Sequence, residues 1–301
     1  MLKIAAQPCG AMKIWARNTM FSTLWNLFIL PFVEYAFMQK ALLSCVLLCI
    51  SAVPLGVFLL LRGLSLVGDS LAHGILPGIA LAAIFFGMAP VPLFIGGIAA
   101  GLIVAFISNQ LSTRSIIPEE ASFTVIYSLS LALGVLILFH HGTNTNVMHL
   151  LFGSVLGIDS VTLSLIAGVC VLTTLFLGKF RKLLLMYCFD PLLFQVAGYH
   201  HKVLMFSFFA LVVSNLVASY QAIGTLLALG LMMLPAITGR ILCGHYRQIF
   251  KVSSLLGIFG CYAGLLLSYH IDWPSGPSII LCLGVQCLAA YGFKRSRKSL
   301  S

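Results

Sequence analysis

An aspartate and a histidine stand four residues apart in the stretch Gly68-Asp69-Ser70-Leu71-Ala72-His73-Gly74-Ile75-Leu76-Pro77-Gly78. On a helix that spacing puts both side chains on one face. A carboxylate oxygen and an imidazole nitrogen converging there suit a borderline divalent cation such as Zn²⁺, Mn²⁺ or Fe²⁺. The stretch opens an apolar run, and acids or histidines inside hydrocarbon are costly enough to need a reason. Gly68, Gly74, Gly78 and Pro77 let backbones approach closely and interrupt the helix, as substrate sites in transporters often require. The competing reading is an Asp–His pair that merely stabilises itself at a helix end near the cytoplasmic face.

Other candidates are weaker. His140, His141 and His149, with Asn144, Asn146 and Met148, crowd a short polar stretch that could pass a metal ion inward from outside, since neutral imidazole is a common ligand. Loops outside a membrane tolerate polar residues equally well. His200, His201 and His245 stand among basic residues and read as solvated surface, and His270 and Asp272 beside Trp273 offer little for a metal. Glu119 and Glu120 precede an apolar run, where acids favour the helix dipole. Nine cysteines are scattered, mostly in apolar runs and without a C-x-x-C, so Cys45 and Cys49, four apart, read as small packing residues. A phosphate-binding loop is missing: Gly178-Lys179 lacks both the upstream glycine and the following Ser or Thr. Nor is there an H-E-x-x-H, which weakens an intramembrane metal-dependent hydrolase.

The elements that must carry these residues follow from composition. Of 301 residues, 60% are hydrophobic and 8% charged, against roughly a quarter charged in a soluble domain. Apolar runs near 41–61, 66–87, 91–110, 123–141, 154–178, 203–219, 222–241, 253–269 and 277–293 are continuous, not alternating, which predicts spanning helices and not a barrel. The expected fold is therefore all-α, a polytopic transmembrane bundle of about eight or nine helices, with no linker long enough to divide residues 41–298. Arg62, Arg114, Lys179, Arg181, Lys182, Lys202, Arg240, Arg247, Lys251 and the Lys294–Lys298 cluster occupy alternate connections, while the others hold no Lys or Arg. That asymmetry places the basic connections and the C-terminus in the cytoplasm. The net charge of +10 is thus topology and no nucleic-acid footprint. Residues 1–40 differ: a short apolar stretch, Phe21 to Val33, ends at Glu34 and predicts an amphipathic interfacial helix anchored by Trp25 and Tyr35. No small-residue cleavage site marks a signal peptide, and Met20 is a second candidate start. Gly97 and Gly101 permit close helix contact, and Pro235 predicts a kink.

Between two cytoplasmic ends, Asp190-Pro191 begins a segment as a helix start would, and Gly198 stands near its close. A short amphipathic helix there would offer Leu192, Leu193, Phe194 and Val196 to a partner protein or to lipid headgroups.

These segments resemble the permease subunits of ATP-binding-cassette importers for zinc, manganese and iron. "PFVEYAFMQKALL" leading to "GVFLLLRGLSLVGDSLAHGILPG" is similar to the family's first helix and Gly-Asp…His segment; "EEASFTVIYSLSLALGV" resembles its fourth-helix entry, and "VMHLLFGSVLGI" its Leu-Phe-Gly segment. "DPLLFQVAGYHHKV" resembles the cytoplasmic coupling segment, and "GTLLALGLMMLPAITGRIL" and "DWPSGPSIILC" the Leu-Pro-Ala and Gly-Pro-Ser segments. The blocks keep the family's order over roughly residues 32–293. Leu-Ala-His looks like zinc members, whereas the following Leu-Pro-Gly looks like manganese and iron members.

The resemblance implies a homodimer enclosing the translocation path, two cytoplasmic ATP-binding subunits and an extracytoplasmic metal-binding protein, in a bacterial inner membrane. It implies that Asp69 and His73 line the central cation site. Asp190, Pro191, Leu192, Phe194 and Gly198 would then belong to the segment docking the ATPase. The divalent ion is substrate, with no permanently bound cofactor, and ATP hydrolysis belongs to the partner. A rival of another class is a proton-coupled secondary metal carrier, in which Asp69 and His73 serve as a relay.

Overall fold

Hydrocarbon offers no partner to a peptide group, so a chain this apolar must satisfy its backbone within helices. The computed structural model describes residues 28, 30–114, 116–140, 158–189, 194 and 201–299. Ten helices lie among them: α1 (Leu30–Glu34), α2 (Ala36–Leu61), α3 (Ser65–Gly74), α4 (Leu76–Phe86), α5 (Pro90–Arg114), α6 (Glu119–His140), α7 (Ser160–Phe189), α8 (His201–Leu242), α9 (Tyr246–Ile271) and α10 (Ser275–Ser299). Among the described residues eight stretches are long and apolar enough to cross a membrane: α2, α3 with α4 (Ser65–Phe86), α5, α6, α7, the first limb of α8 (Val203–Gly224), α9 and α10. The second limb of α8, Leu227–Leu242, is shorter. Alternating basic connections put the α2–α3, α5–α6, α7–α8 and α8–α9 junctions and the end of α10 on the cytoplasmic side.

Local chemistry explains most boundaries. The C-terminus of α2 closes with Gly63 at φ +76°, where Gly63 N–H donates to the Leu60 carbonyl at 3.3 Å and Leu64 N–H to that of Leu59 at 2.9 Å. This pairing uses a left-handed residue that glycine adopts without a Cβ penalty, and it turns the chain straight into α3. At α7 the Asp159 carboxylate accepts the Ser160 N–H at 2.7 Å. The sequence predicts that α7 ends near residue 178, yet it runs on to Phe189. Basic side chains there set their charged heads over aromatic rings: Lys179 Nζ stands 5.4 Å from the Phe180 ring centre and Arg181 Cζ 4.6 Å from that of Phe250.

Two further boundaries differ from expectation. The predicted run 66–87 is split at Ile75 into α3 and α4. In α8 the break falls at Gly224 (φ 82°, ψ 167°), a few residues past the connection expected between the runs 203–219 and 222–241, and Pro235 lies inside the second limb. Proline's ring holds φ near the helical value, whereas only glycine enters the conformation that parts the two limbs. The interfacial helix expected before Glu34 falls largely outside the described residues. What is described, α1, packs against α9, with Phe32 stacked on Tyr262 at 5.1 Å.

α8 sits at the centre, packed against α2, α3, α5, α7, α9 and α10. Gly97 and Gly101 do bring α5 against α8, where Val217 and Val213 fill the space a side chain would need. Two hydrophobic clusters form the core. On α2 the first holds Leu55 and Phe58 and the second Cys45 and Leu48; on α9 the first holds Phe250 and the second Cys261 and Leu265. On α2, α7 and α9 the first cluster lies nearer the cytoplasmic end and the second nearer the outer end, while on α4, α5 and α8 the first also reaches outward to Ile79, Leu93 and Tyr220. Cys45 and Cys49 are buried and free, with the Cys49 and Cys261 sulfurs 3.8 Å apart, as packing residues are.

Candidate metal site and its setting

α3 buries nearly its whole circumference. Val67, Gly68, Ser70, Leu71, Ala72 and Gly74 are all buried, with Gly68 against Met232, Met233 and Leu229 of α8 and Gly74 against Val104 of α5. One narrow stripe remains, and it carries Leu66, 58% exposed, then Asp69 and His73. The stripe is an i, i+3, i+7 row, so the face that packs and the face that could bind are set by the same helical repeat.

His73 Nε2 lies 3.5 Å from Asp69 Oδ1, with the two side chains 38% and 42% exposed. That is too long for a strong hydrogen bond. Two metal–ligand bonds of about 2.0–2.1 Å at a tetrahedral angle would set nitrogen and oxygen about 3.3 Å apart, so the pair stands close to the spacing of a chelate. Among the described residues no group of three or more His, Cys, Asp or Glu could hold a metal ion. Among the described residues this face thus brings together two such side chains, Asp69 and His73.

α3 ends at Gly74, one residue past His73. Pro77 has no N–H to give the His73 carbonyl, and Ile75, still right-handed at φ −78° and ψ −15°, links α3 to α4. α6 takes over the support: Ser130 Oγ donates to the Gly74 carbonyl at 2.8 Å, a buried bond, and the Tyr127 ring lies 6.3 Å from that of His73. Neither residue was singled out by sequence reasoning, although both are polar groups in an apolar run, which is the signal that marks them. Ser130→Ala should lower stability by about 1 kcal/mol, read as a small drop in the melting temperature of purified protein. An unchanged melt would mean that the Gly74 carbonyl finds another donor.

The remaining candidates fall elsewhere. His140 is exposed at the end of α6, and His141 and His149 lie outside the described residues, as do Asp190, Pro191, Leu192 and Gly198. His245 is exposed ahead of α9, and His270, Asp272 and Trp273 are exposed at its outer end. Phe194 is 0% exposed and meets the Tyr187 ring edge-on at 5.2 Å, a packed aromatic contact. Glu119 also does more than complement a dipole, because its Oε2 pairs with Arg62 Nη2 at 3.0 Å.

Residues 34–294 match the model of the ABC 3 transport family. The chain belongs to that family. It is a multi-pass transport permease, and ATP hydrolysis in such ATP-binding-cassette importers belongs to a separate subunit. It is 32% identical over 258 residues to a chelated iron transport system membrane protein, YfeD, of Yersinia pestis, covering 86% of this chain and 85% of that one. It is 31% identical over 266 residues to the manganese import system permease protein ScaB of Streptococcus gordonii, covering 88% and 94%. Among solved structures, PsaBC from Streptococcus pneumoniae in complex with Fab matches with a TM-score of 0.77 at 30% identity, covering 88% of this chain and 94% of that chain.

Proposed function

We propose that this permease carries a divalent first-row transition metal into the cytoplasm, that the ion rests on Asp69 and His73, and that a second copy of the chain completes the site. The observation that supports it is the exposed stripe on α3. A carboxylate and an imidazole facing lipid would be costly, and a partner copy bringing the same two residues removes that cost while raising the ligand count from two to four. Oxygen and nitrogen donors suit Mn²⁺ and Fe²⁺, the metals named for the relatives. Zn²⁺ accepts the same donors.

In this reading an extracytoplasmic metal-binding protein delivers the ion above the dimer, with His140, His141 and His149 as candidates for the outer relay. The cytoplasmic ATP-binding subunits dock at the segment from Asp190 to Lys202, through Leu192 and its neighbours, while Phe194 anchors the segment from inside. ATP-driven movement of that segment opens the inner side. Equilibrium binding of Mn²⁺ to the purified transporter should give one ion per two permease chains. One ion for every chain would mean that the site does not lie between copies.

A further inference from the structure

At the cytoplasmic end of the bundle a single guanidinium ties four helix ends together. Arg62, the last residue before Gly63 in the short link from α2 to α3, donates through Nη1 to Met205 Sδ at 3.0 Å, and through Nη2 to Glu119 Oε2 at 3.0 Å and Tyr187 Oη at 3.3 Å. Its Cζ also stands 4.9 Å from the centre of the Tyr187 ring. Met205 lies in the first turns of α8, Glu119 is the first residue of α6 and Tyr187 is in the last turn of α7. α7 and α8 are the helices that flank the 190–200 connection, and the described residue of that connection, Phe194, packs its ring on Tyr187.

The other side of the cluster leads to the metal pair. Arg62 is three residues before α3, which carries Asp69 and His73. Glu119 begins α6, which two turns later places Tyr127 beside His73 and then Ser130 on the Gly74 carbonyl. Glu120 Oε1 also accepts the Leu66 N–H of α3 at 3.5 Å. Arg62 and Glu119 are only 17% and 23% exposed, so the charge pair is poorly screened and each partner needs the other.

We infer that the Arg62–Glu119 pair is a latch, made in one state of the transport cycle and opened in the other, that transmits movement of the Tyr187–Phe194 contact to the α3–α6 pair holding Asp69 and His73. The inference rests on the metal-import reading above and adds positioning residues to it: neither Arg62 nor Glu119 is assigned to the ion. The structure shows the closed arrangement, in which a carboxylate, a hydroxyl and a thioether share the guanidinium; coupling between separated sites requires a second arrangement, which is the proposed open latch. The planar fork of arginine can hold Glu119, Tyr187 and Met205 at once, whereas lysine presents a point charge.

The test uses the whole transporter, permease with its ATP-binding subunits and donor protein, in proteoliposomes with Mn²⁺ as the probe. Glu119→Gln keeps the shape and removes the charge. It should lower the number of ions moved per ATP hydrolysed by about fivefold or more, with Mn²⁺ binding and basal ATP hydrolysis unchanged. Arg62→Lys should fall between this variant and the parent, and it carries the same test should Glu119→Gln not assemble. An unchanged ratio in the variant tested, or uptake and hydrolysis declining in step, overturns the latch. Parent transporter that moves no Mn²⁺, Fe²⁺ or Zn²⁺ overturns the import reading itself, a result the variants cannot produce.

Discussion

Asp69→Ala or His73→Ala should cut metal uptake by about 100-fold or more while the permease still assembles with its ATPase. The scale follows from coordination chemistry: losing a partner that merely orients a ligand costs about 10–100-fold in affinity or activity, and losing a ligand itself should cost more. In a two-copy site each substitution removes two of four ligands at once. Assembly should survive because both side chains are half-buried on the least covered stripe of α3, so no core cavity is made. The measurement pairs uptake in a strain lacking the native gene with ATP hydrolysis by the purified variant. Normal accumulation in either variant would remove the site assignment and leave the fold untouched.

Gly78→Val should prevent the permease from accumulating as a folded protein. A Cβ on Gly78 would fall on the Gly96 carbonyl oxygen and lie 2.7 Å from Ala100 Cβ, and a Cβ on Gly96 would come within 2.5 Å of the Gly78 oxygen. The obstacles are backbone atoms, which cannot swing aside as a flexible side chain could, so α4 and α5 would have to separate. Overpacking a core costs about 1–3 kcal/mol, and separating two spans along their contact should exceed that range. A Cβ on Gly284 of α10 would meet nothing within 4 Å, so Gly284→Ala should be neutral or stabilising by up to about 1 kcal/mol. Monodisperse protein yield and melting temperature separate the two. A Gly78→Val protein that melts with the parent would mean that the helices do not pack this closely.

How far the sequence could be read depended on the range of each interaction. Asp69 and His73 were legible because four residues on a helix is a local relation, and Gly97 and Gly101 because small residues at that spacing mark a packing face. Gly78 meeting Gly96 is the same physics across two helices, and no local pattern announces it. The Arg62–Glu119 pair spans 57 positions, and Glu119 already had a sufficient local explanation as an acid at a helix start. Phe194 shows the matching difficulty for apolar residues: amphipathic patterning tells that a side chain seeks cover, but not whether the chain's own core or another protein supplies it. The break in α8 lies close to the gap between the runs 203–219 and 222–241, at the glycine that can reverse φ.

The two apolar clusters share their helices: α2, α7, α8 and α9 each carry residues of both, and Phe94 of α5 packs against both. A movement that loosens one cluster is therefore felt by the other through the same four spans.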